Sequence, residues 1–222
     1  DFIKVFTYLQ IKEDAHTIFG FVEKSEREIF KLLLSVSGIG AGIARTMLSS
    51  LAPSQIIQLA EGEFIDRYGN VLIFGNPGTG KTHLSIGLAR EWCLAGRRVC
   101  FYTAASLVQQ LLQAKQVLKL EQFIKKLDRF ELLIIDDISY VPFERHETDV
   151  LFTLMAARYE MRSLLITSNL PFSKWNSIFK DEMTTNAAID RLVHHAVILE
   201  LNTSSYRSEC AKRNKVEPIN AD

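Results

Sequence analysis

The feature that most constrains this chain is a glycine-rich run of eight residues, Gly75–Asn76–Pro77–Gly78–Thr79–Gly80–Lys81–Thr82. The apolar residues Val71–Phe74 before it predict a buried strand, and the apolar residues after it, from Leu84 onward, recur at helical spacing. A strand, a glycine-rich turn and a helix in this order are the context of a phosphate-binding loop. Glycines let successive N–H groups form a concave anion site, and the helix N-terminus adds positive charge. The run therefore predicts a nucleoside triphosphate site, with an ordinary glycine turn as the alternative.

Within this loop, all eight residues are expected to contact the nucleotide: Gly75, Asn76, Pro77, Gly78, Thr79, Gly80, Lys81 and Thr82. The Lys81 ammonium would reach the β- and γ-phosphates, and the Thr82 hydroxyl would be a ligand of Mg²⁺.

A pair of carboxylates follows the apolar run Leu132–Ile135, about fifty residues after the loop. Carboxylates at the carboxyl end of a parallel strand face the crevice where phosphates bind. We expect Asp136 to hold Mg²⁺ and Asp137 to orient or deprotonate the attacking water. On its own, an apolar run that ends in two aspartates is also typical of a strand meeting a turn.

A parallel α/β/α sandwich is predicted from the alternation of strands and helices behind the loop. The predicted strands are five: Val71–Phe74, Val99–Thr103, Leu132–Asp137, Ser163–Asn169 and Ala196–Leu201. Asn169, at the end of the fourth strand, is expected to hydrogen-bond the γ-phosphate or its water, supported by Thr167 or Ser168. An Asn-Leu-Pro turn without such a role is the alternative.

The first sixty residues predict a β-hairpin from Phe2–Ile11 and Thr17–Val22, then two helices around a glycine-rich turn. Ser25 and Glu28 are expected to form the capping box of the first helix. Exposed backbone amides beside a helix N-terminus suit a DNA phosphate without reading sequence. The candidate DNA contacts are Gly38, Ile39, Gly40, Ala41, Gly42 and Arg45. Spacing alone leaves a plain helix–helix turn open.

Composition excludes several classes of function. The 222 residues have a formal net charge of zero, so any nucleic-acid binding must come from local patches. The three cysteines (Cys93, Cys100 and Cys210) form no C-x-x-C pair and are expected to be free thiols, the first two buried, in a reducing cytoplasm. No run is long enough for a membrane span. His194 and His195 are expected not to share a metal ion, because neighbours on a helix point about 100° apart.

The front of the chain resembles the Holliday-junction protein family RuvA, from Tyr8 through Ser54. The stretches "IKEDAHTIFGF", "EREIFKLLLSVSGIG" and "ARTMLSSL" carry this resemblance. They correspond to the end of that family's OB domain and to the first hairpin of its helix-hairpin-helix domain. The resemblance implies that the amides around Gly38–Gly42 contact DNA.

From Gly62 to about Lys215 the chain resembles the IstB-like helper ATPases of insertion sequences, in the DnaC/DnaA branch of AAA+ proteins. "NVLIFGNPGTGKTHLSIGLA", "LLIIDDISYVPF" and "AAIDRLVHHAVILEL" carry the resemblance. It implies Asn169 as sensor 1, Arg191 as the arginine finger for a neighbouring subunit, and Arg207 as a sensor 2 arginine at the nucleotide. It also implies ATP and Mg²⁺ as cofactors, ATP-dependent assembly on duplex DNA, a homo-oligomer and a transposase partner.

The predicted domains are a partial OB-type hairpin at 1–24, a helix-hairpin-helix at 25–58 and an AAA+ ATPase domain at 59–222. Three other interpretations stay open at this stage. The chain could load a replicative helicase, as DnaC does, or its front piece could act as a junction-binding module beside a passive ATPase. It could also be a fusion in which only the ATPase part has a task.

Overall fold

The computed structural model describes residues 2–11, 15–36, 39–139 and 143–202. At its centre is a parallel five-stranded sheet in the order β4-β5-β6-β3-β7, so that β3, which leads into the glycine-rich loop, lies between β6 and β7. The five strands are β3 (Asn70–Gly75), β4 (Val99–Thr103), β5 (Leu132–Asp136), β6 (Ser163–Ser168) and β7 (Ala196–Leu201). Each predicted strand is present, and the parallel sheet is confirmed.

Helices cover both faces of the sheet, because its central strands are buried on both sides and alternate residues need apolar cover. One face carries α1 (Lys24–Leu34), α2 (Ala41–Ser50), α3 (Pro53–Glu61), α4 (Glu63–Asp66) and α5 (Lys81–Leu94). The other face carries α6 (Ala104–Gln116), α7 (Leu120–Leu127), α8 (Arg145–Arg158), α9 (Asn176–Phe179) and α10 (Glu182–Val193). Along β3, Val71 and Ile73 pack on the first group, whereas Leu72 and Phe74 pack on the second. The three-layer α/β/α sandwich is thereby confirmed.

The predicted hairpin is also present, as the antiparallel pair β1 (Phe6–Ile11) and β2 (His16–Phe21). Its inner face presents Tyr8, Phe19 and Phe21 to Phe30 of α1, with ring centroids 5.0 to 5.6 Å apart. The N-cap of α1 is Glu23 and not Ser25, because Glu23 and Glu26 form the reciprocal capping box. The first turn of α1 therefore begins earlier than the predicted serine cap.

Helices α1 to α3 share one apolar core with the sheet. Phe30, Met47 and Ile56 are fully buried in the same cluster as Val71 and Leu199. Val36 comes two residues after the end of α1 and lies so close to α5 that a Cβ added at Gly87 would be 3.0 Å from its Cγ2. The domain limits at 24/25 and 58/59 stay predictions. In space, the front helices form part of one layer of the sandwich.

Within the described ranges, no helix combines the length and the apolar character needed to cross a bilayer.

Candidate nucleotide-binding site

The glycine-rich loop connects β3 to the N-terminus of α5 with positive φ angles at Gly78 (82°) and Gly80 (100°). These angles favour glycine, because a Cβ would meet the backbone in this region. Gly80 is also in close contact with α2, since a Cβ there would overlap the Met47 Cε. The loop thus presents backbone N–H groups at the start of a 14-residue helix, as an anion site requires.

Lys81 is the best-anchored side chain of the loop. It is 6% exposed, and its Nζ donates to the carbonyl oxygens of Gly75 (2.7 Å) and Asn76 (3.0 Å) and to Asn169 Oδ1 (2.6 Å). An ammonium only donates hydrogen bonds, so the Asn169 amide must turn its oxygen toward Lys81. The ammonium therefore lies inside the loop, with the end of β6 beside it.

Asn169 joins Lys81 to Asp137, the carboxylate that follows the end of β5. While its oxygen accepts from Lys81, its Nδ2 donates to Asp137 Oδ1 (2.8 Å), and its backbone N–H donates to Ser139 Oγ (2.8 Å). The Ser139 hydroxyl in turn donates to Asp137 Oδ1, at 3.4 Å. The side chain of Asn169 is thus held at both ends between a cation and a carboxylate, which is a suitable position for sensing a γ-phosphate.

Asp136 lies under the loop, where its two oxygens accept from different elements. Thr82 Oγ1 donates to Asp136 Oδ2 (3.0 Å), and Thr167 Oγ1 donates to Asp136 Oδ1 (2.7 Å). A hydroxyl and a carboxylate oxygen side by side are the hard oxygen ligands that Mg²⁺ prefers. The residues therefore fit the ion that the fold implies, with Thr82 and Asp136 as the side chains that would hold it.

Asp137 follows the end of β5 in the left-handed region, with φ at 59°. Its backbone N–H donates to Thr167 Oγ1 (2.7 Å), which ties it to β6. Burial raises the pKa of this carboxyl above its usual value and nearby Asp136 raises it further, whereas Lys81, Asn169 and Ser139 lower it. A carboxylate with a raised pKa beside a phosphate site is suited to take a proton from water.

The cleft between these groups has a volume of about 200 Å³ and is lined by loop residues, Asp137, Thr167 and Asn169. Ile43 of α2 and His83 of α5 also line it, and sequence reasoning missed both. Ser139, which bonds Asn169 and Asp137, was missed as well. His83 and Ser139 stand one and two residues beyond predicted site residues, a signal that could have indicated them. Ile43 has no such signal, because only the packing of α2 brings it to the loop.

Other predicted site residues lie elsewhere. Arg191 is on α10, where its Nη1 donates to Ala187 O (2.9 Å) and its guanidinium lies 5.2 Å from the centre of the Phe152 ring of α8. Gly38 and Arg207 are outside the described residues. Of the other candidate DNA contacts, Gly40 and Arg45 are exposed, Gly42 is half-buried, and the side chains of Ile39 and Ala41 are in the core.

The cysteine prediction was wrong for Cys93, which is exposed on α5 because this position turns away from the sheet. Cys100 of β4 is half-buried, and this burial raises the pKa of its thiol. Both described cysteines are free thiols.

Comparison with known proteins identifies two relationships. The family model of the IstB-like ATP binding protein matches residues 42–215. A protein of Sinorhizobium fredii, strain NGR234, whose name describes an insertion sequence ATP-binding protein, is 45% identical over 172 residues. The match covers 76% of this chain and 58% of that relative. The chain thus spans less than two thirds of the length of this relative.

A second relative matches a shorter stretch. The Holliday junction branch migration complex subunit RuvA of Flavobacterium psychrophilum is 74% identical over 57 residues, which are 26% of this chain and 30% of that protein. Among solved structures, the DnaC helicase loader superposes with a TM-score of 0.59 at 18% identity, covering 67% of this chain and 87% of the loader. At that identity the likeness is one of fold, and it agrees with the α/β sandwich described above.

Proposed function

The chain belongs to the IstB-like ATP-binding protein family, and from this premise we propose that it binds and hydrolyses ATP as a helper of DNA transposition. One observation carries the proposal: a continuous hydrogen-bonded network at the carboxyl edge of the sheet. It runs from Lys81 through Asn169 to Asp137. Beside it, Thr82 and Asp136 form an oxygen pair. A phosphate cradle, a cation, a carboxylate base and a metal-binding pair are the parts that ATP hydrolysis needs.

ATP binding would exchange the contacts of Lys81. Its Nζ donates to the loop carbonyls of Gly75 and Asn76, and we propose that it turns to the β- and γ-phosphate oxygens when ATP enters. An ammonium on a flexible stem can make this exchange without movement of the loop backbone. Thr82 and Asp136 would hold Mg²⁺, which would supply positive charge beside the phosphates.

Asp137 and Asn169 would then act on water. The Asp137 carboxylate takes a proton as the water oxygen bonds to the γ-phosphorus, and the bond from that phosphorus to the bridging oxygen breaks, which releases ADP. Asn169 holds Asp137 in place through the 2.8 Å hydrogen bond, so it acts on the water indirectly. We also propose that Asn169, as the sensor 1 residue, hydrogen-bonds the γ-phosphate.

Arg191 is proposed to act on the nucleotide of a neighbouring subunit. Its described contacts are to Ala187 and Phe152, in the helical layer that α8 and α10 build. An arginine that reaches a neighbour's γ-phosphate would couple ATP binding to assembly of a homo-oligomer on duplex DNA, with a transposase as partner. Arg207 stays a proposed contact to the nucleotide.

The RuvA relative supports a second proposal for the front of the chain. We propose that the RuvA-like stretch lies at about 1–58 and contacts the DNA backbone through amides of the turn before α2 and through Arg45. The antiparallel hairpin, the helix pair α1 and α2, and the exposure of Gly40 and Arg45 support this. Gel shifts of the full chain and of Arg45→Glu on four-way and linear DNA test it, and equal binding by both proteins would count against the contact.

The main proposal is tested by measuring DNA-stimulated ATP turnover together with particle mass in ATP and in ADP. We expect turnover that rises with duplex DNA, and a larger particle in ATP than in ADP. A chain that binds ATP but has the same mass in both nucleotides would refute the assembly step. A chain that binds no ATP would refute the site itself. A pull-down that retains a replicative helicase and no transposase would favour the helicase-loader interpretation.

A further inference from the structure

Two histidines and a glutamate come together at the amino-terminal edge of the sheet. Glu160 lies between α8 and β6, and His194 and His195 lie between α10 and β7. One donor atom from each of the three residues lies within 4.8 Å of the other two, and all three side chains are exposed. We propose that this cluster, Glu160–His194–His195, binds a divalent transition metal ion of the Zn²⁺ class.

The expectation that the two histidines do not share an ion assumed that both lie within a helix. Helix α10 ends at Val193 with His194 as its C-cap, and the chain turns from there toward β7. The turn brings the imidazole rings to a centroid separation of 4.0 Å. His195 is held there because its carbonyl oxygen accepts from Asn70 N–H at 2.9 Å.

The surroundings of the cluster favour a cation. Helices α8 and α10, of 14 and 12 residues, both end at the cluster, with Tyr159 and His194 as their C-caps. Helix C-termini carry a partial negative charge, so two of them at one place attract positive charge. The carboxylate of Glu160 adds a full negative charge, and its Oε1 lies 3.7 Å from His194 Nδ1. The Tyr159 hydroxyl is 3.0 Å from the same nitrogen and helps to orient the ring.

The ligand set selects the kind of metal. Imidazole nitrogens suit Zn²⁺, Ni²⁺ and Cu²⁺, whereas Mg²⁺ prefers oxygen ligands, so the magnesium used with ATP would not compete. Donor atoms around a tetrahedral Zn²⁺ lie about 3.3 Å apart, so the three side chains must approach one another by at most about 1.5 Å. Exposed side chains can do so by changing rotamer. Three protein ligands leave a fourth position for water.

The cluster is separate from the nucleotide site. It lies at the amino-terminal ends of β6 and β7, whereas the phosphate loop leaves the carboxyl end of β3. A parallel strand of six residues spans about 20 Å, so the metal would not touch ATP. A bound ion would link the α8–β6 turn to the α10–β7 turn, and a test of metal binding does not depend on the ATPase proposal.

The experiment titrates Zn²⁺ into the full chain, purified without a polyhistidine tag and stripped with a chelator, in competition with a fluorescent chelating dye. The variants are His195→Ala and Glu160→Gln, and the matched control is His146→Ala, an exposed histidine on α8. We expect each of the first two variants to lose affinity by about tenfold or more, and the control to bind as the unmodified chain does. Excess Mg²⁺ should displace no Zn²⁺, and ATP affinity should be the same in all four proteins.

Two results would overturn the proposal. One is equal Zn²⁺ affinity in the unmodified chain and His195→Ala, including the case in which neither binds. The other concerns Co²⁺ substitution, which reports the ligand set: a thiolate charge-transfer band would place the ion at a cysteine such as the exposed Cys93. A Co²⁺ spectrum without that band, lost in His195→Ala, would support the cluster.

Discussion

Replacing Asn169 by alanine should separate ATP binding from ATP hydrolysis. The variant removes the acceptor for Lys81 and the donor to Asp137 at once. Lys81 keeps the carbonyl oxygens of Gly75 and Asn76 as partners, so it stays in the loop. Asp137 keeps only Ser139 Oγ, at 3.4 Å, among the side-chain donors described for it. The loss therefore falls on the carboxylate that is proposed to act on water.

The magnitude follows from the hydrogen bond to Asp137. A hydrogen bond to a charged group contributes about 1.5 to 3 kcal/mol. If that contribution is made in the transition state, turnover should fall by about ten- to 150-fold, since about 1.4 kcal/mol is a factor of ten. The dissociation constant of ATP should change by less than about tenfold, because the glycine-rich loop and Lys81 are intact. Asn169 also lowers the pKa of Asp137, so in the variant that pKa rises and the acid limb of the turnover profile moves to higher pH.

The assay is single-turnover hydrolysis across a pH series, with ATP affinity measured by calorimetry. Asn176→Ala, which replaces an exposed asparagine at the start of α9, is the matched control and should behave as the unmodified chain does. Unchanged turnover in Asn169→Ala would refute the role assigned to Asn169 as the link between Lys81 and Asp137. A loss confined to ATP affinity would also refute it, because Asn169 would then act in binding.

Three further outcomes are expected. Lys81→Ala should weaken ATP binding in calorimetry by at least about tenfold, which is the equivalent of one charge-assisted hydrogen bond. The control Lys115→Ala, on α6, should leave ATP binding unchanged. Normal ATP affinity in Lys81→Ala would refute the assignment of the glycine-rich loop as the nucleotide site. Arg191→Ala should bind ATP but lose ATP-driven assembly, and unchanged oligomerisation in sedimentation would contradict this. Asp137→Asn should raise the urea midpoint of the nucleotide-free chain at neutral pH. Because the pKa of Asp137 is raised in the folded state, its ionised form costs stability at neutral pH, and the gain should disappear in acid below the unfolded pKa. A gain that persists there would have another cause.

Much of the α/β sandwich and its glycine-rich loop could be predicted from sequence, because the signals are local. The apolar strands and the glycine run are contiguous, and parallel strands place their carboxyl ends at one edge. The predicted positions of Lys81, Asp136, Asp137 and Asn169 therefore come together without knowledge of side-chain geometry. Their roles in catalysis stay predictions that the experiments above test.

What could not be predicted depends on contacts between distant segments. Thr167 Oγ1 contacts both Asp136 and the Asp137 backbone, and Ile43 approaches the cleft. Neither contact leaves a periodic signal in the sequence. Helix ends account for the other differences. The N-cap of α1 is Glu23, two residues before the predicted Ser25, and α10 ends at Val193 with His194 as its C-cap, so the two histidines do not both lie within the helix.

The shared core of α1 to α3 and the sheet has a practical consequence for any attempt to isolate the part of the chain that follows residue 58. A protein cut at residue 58 would lose Phe30, Met47 and Ile56, which are fully buried. Aliphatic side chains of β3 and β7, now shielded, would then face water and invite aggregation. Whatever the history of the front segment, the parallel sheet depends on it as a physical cover, and solubility would be the first property that such a cut would alter.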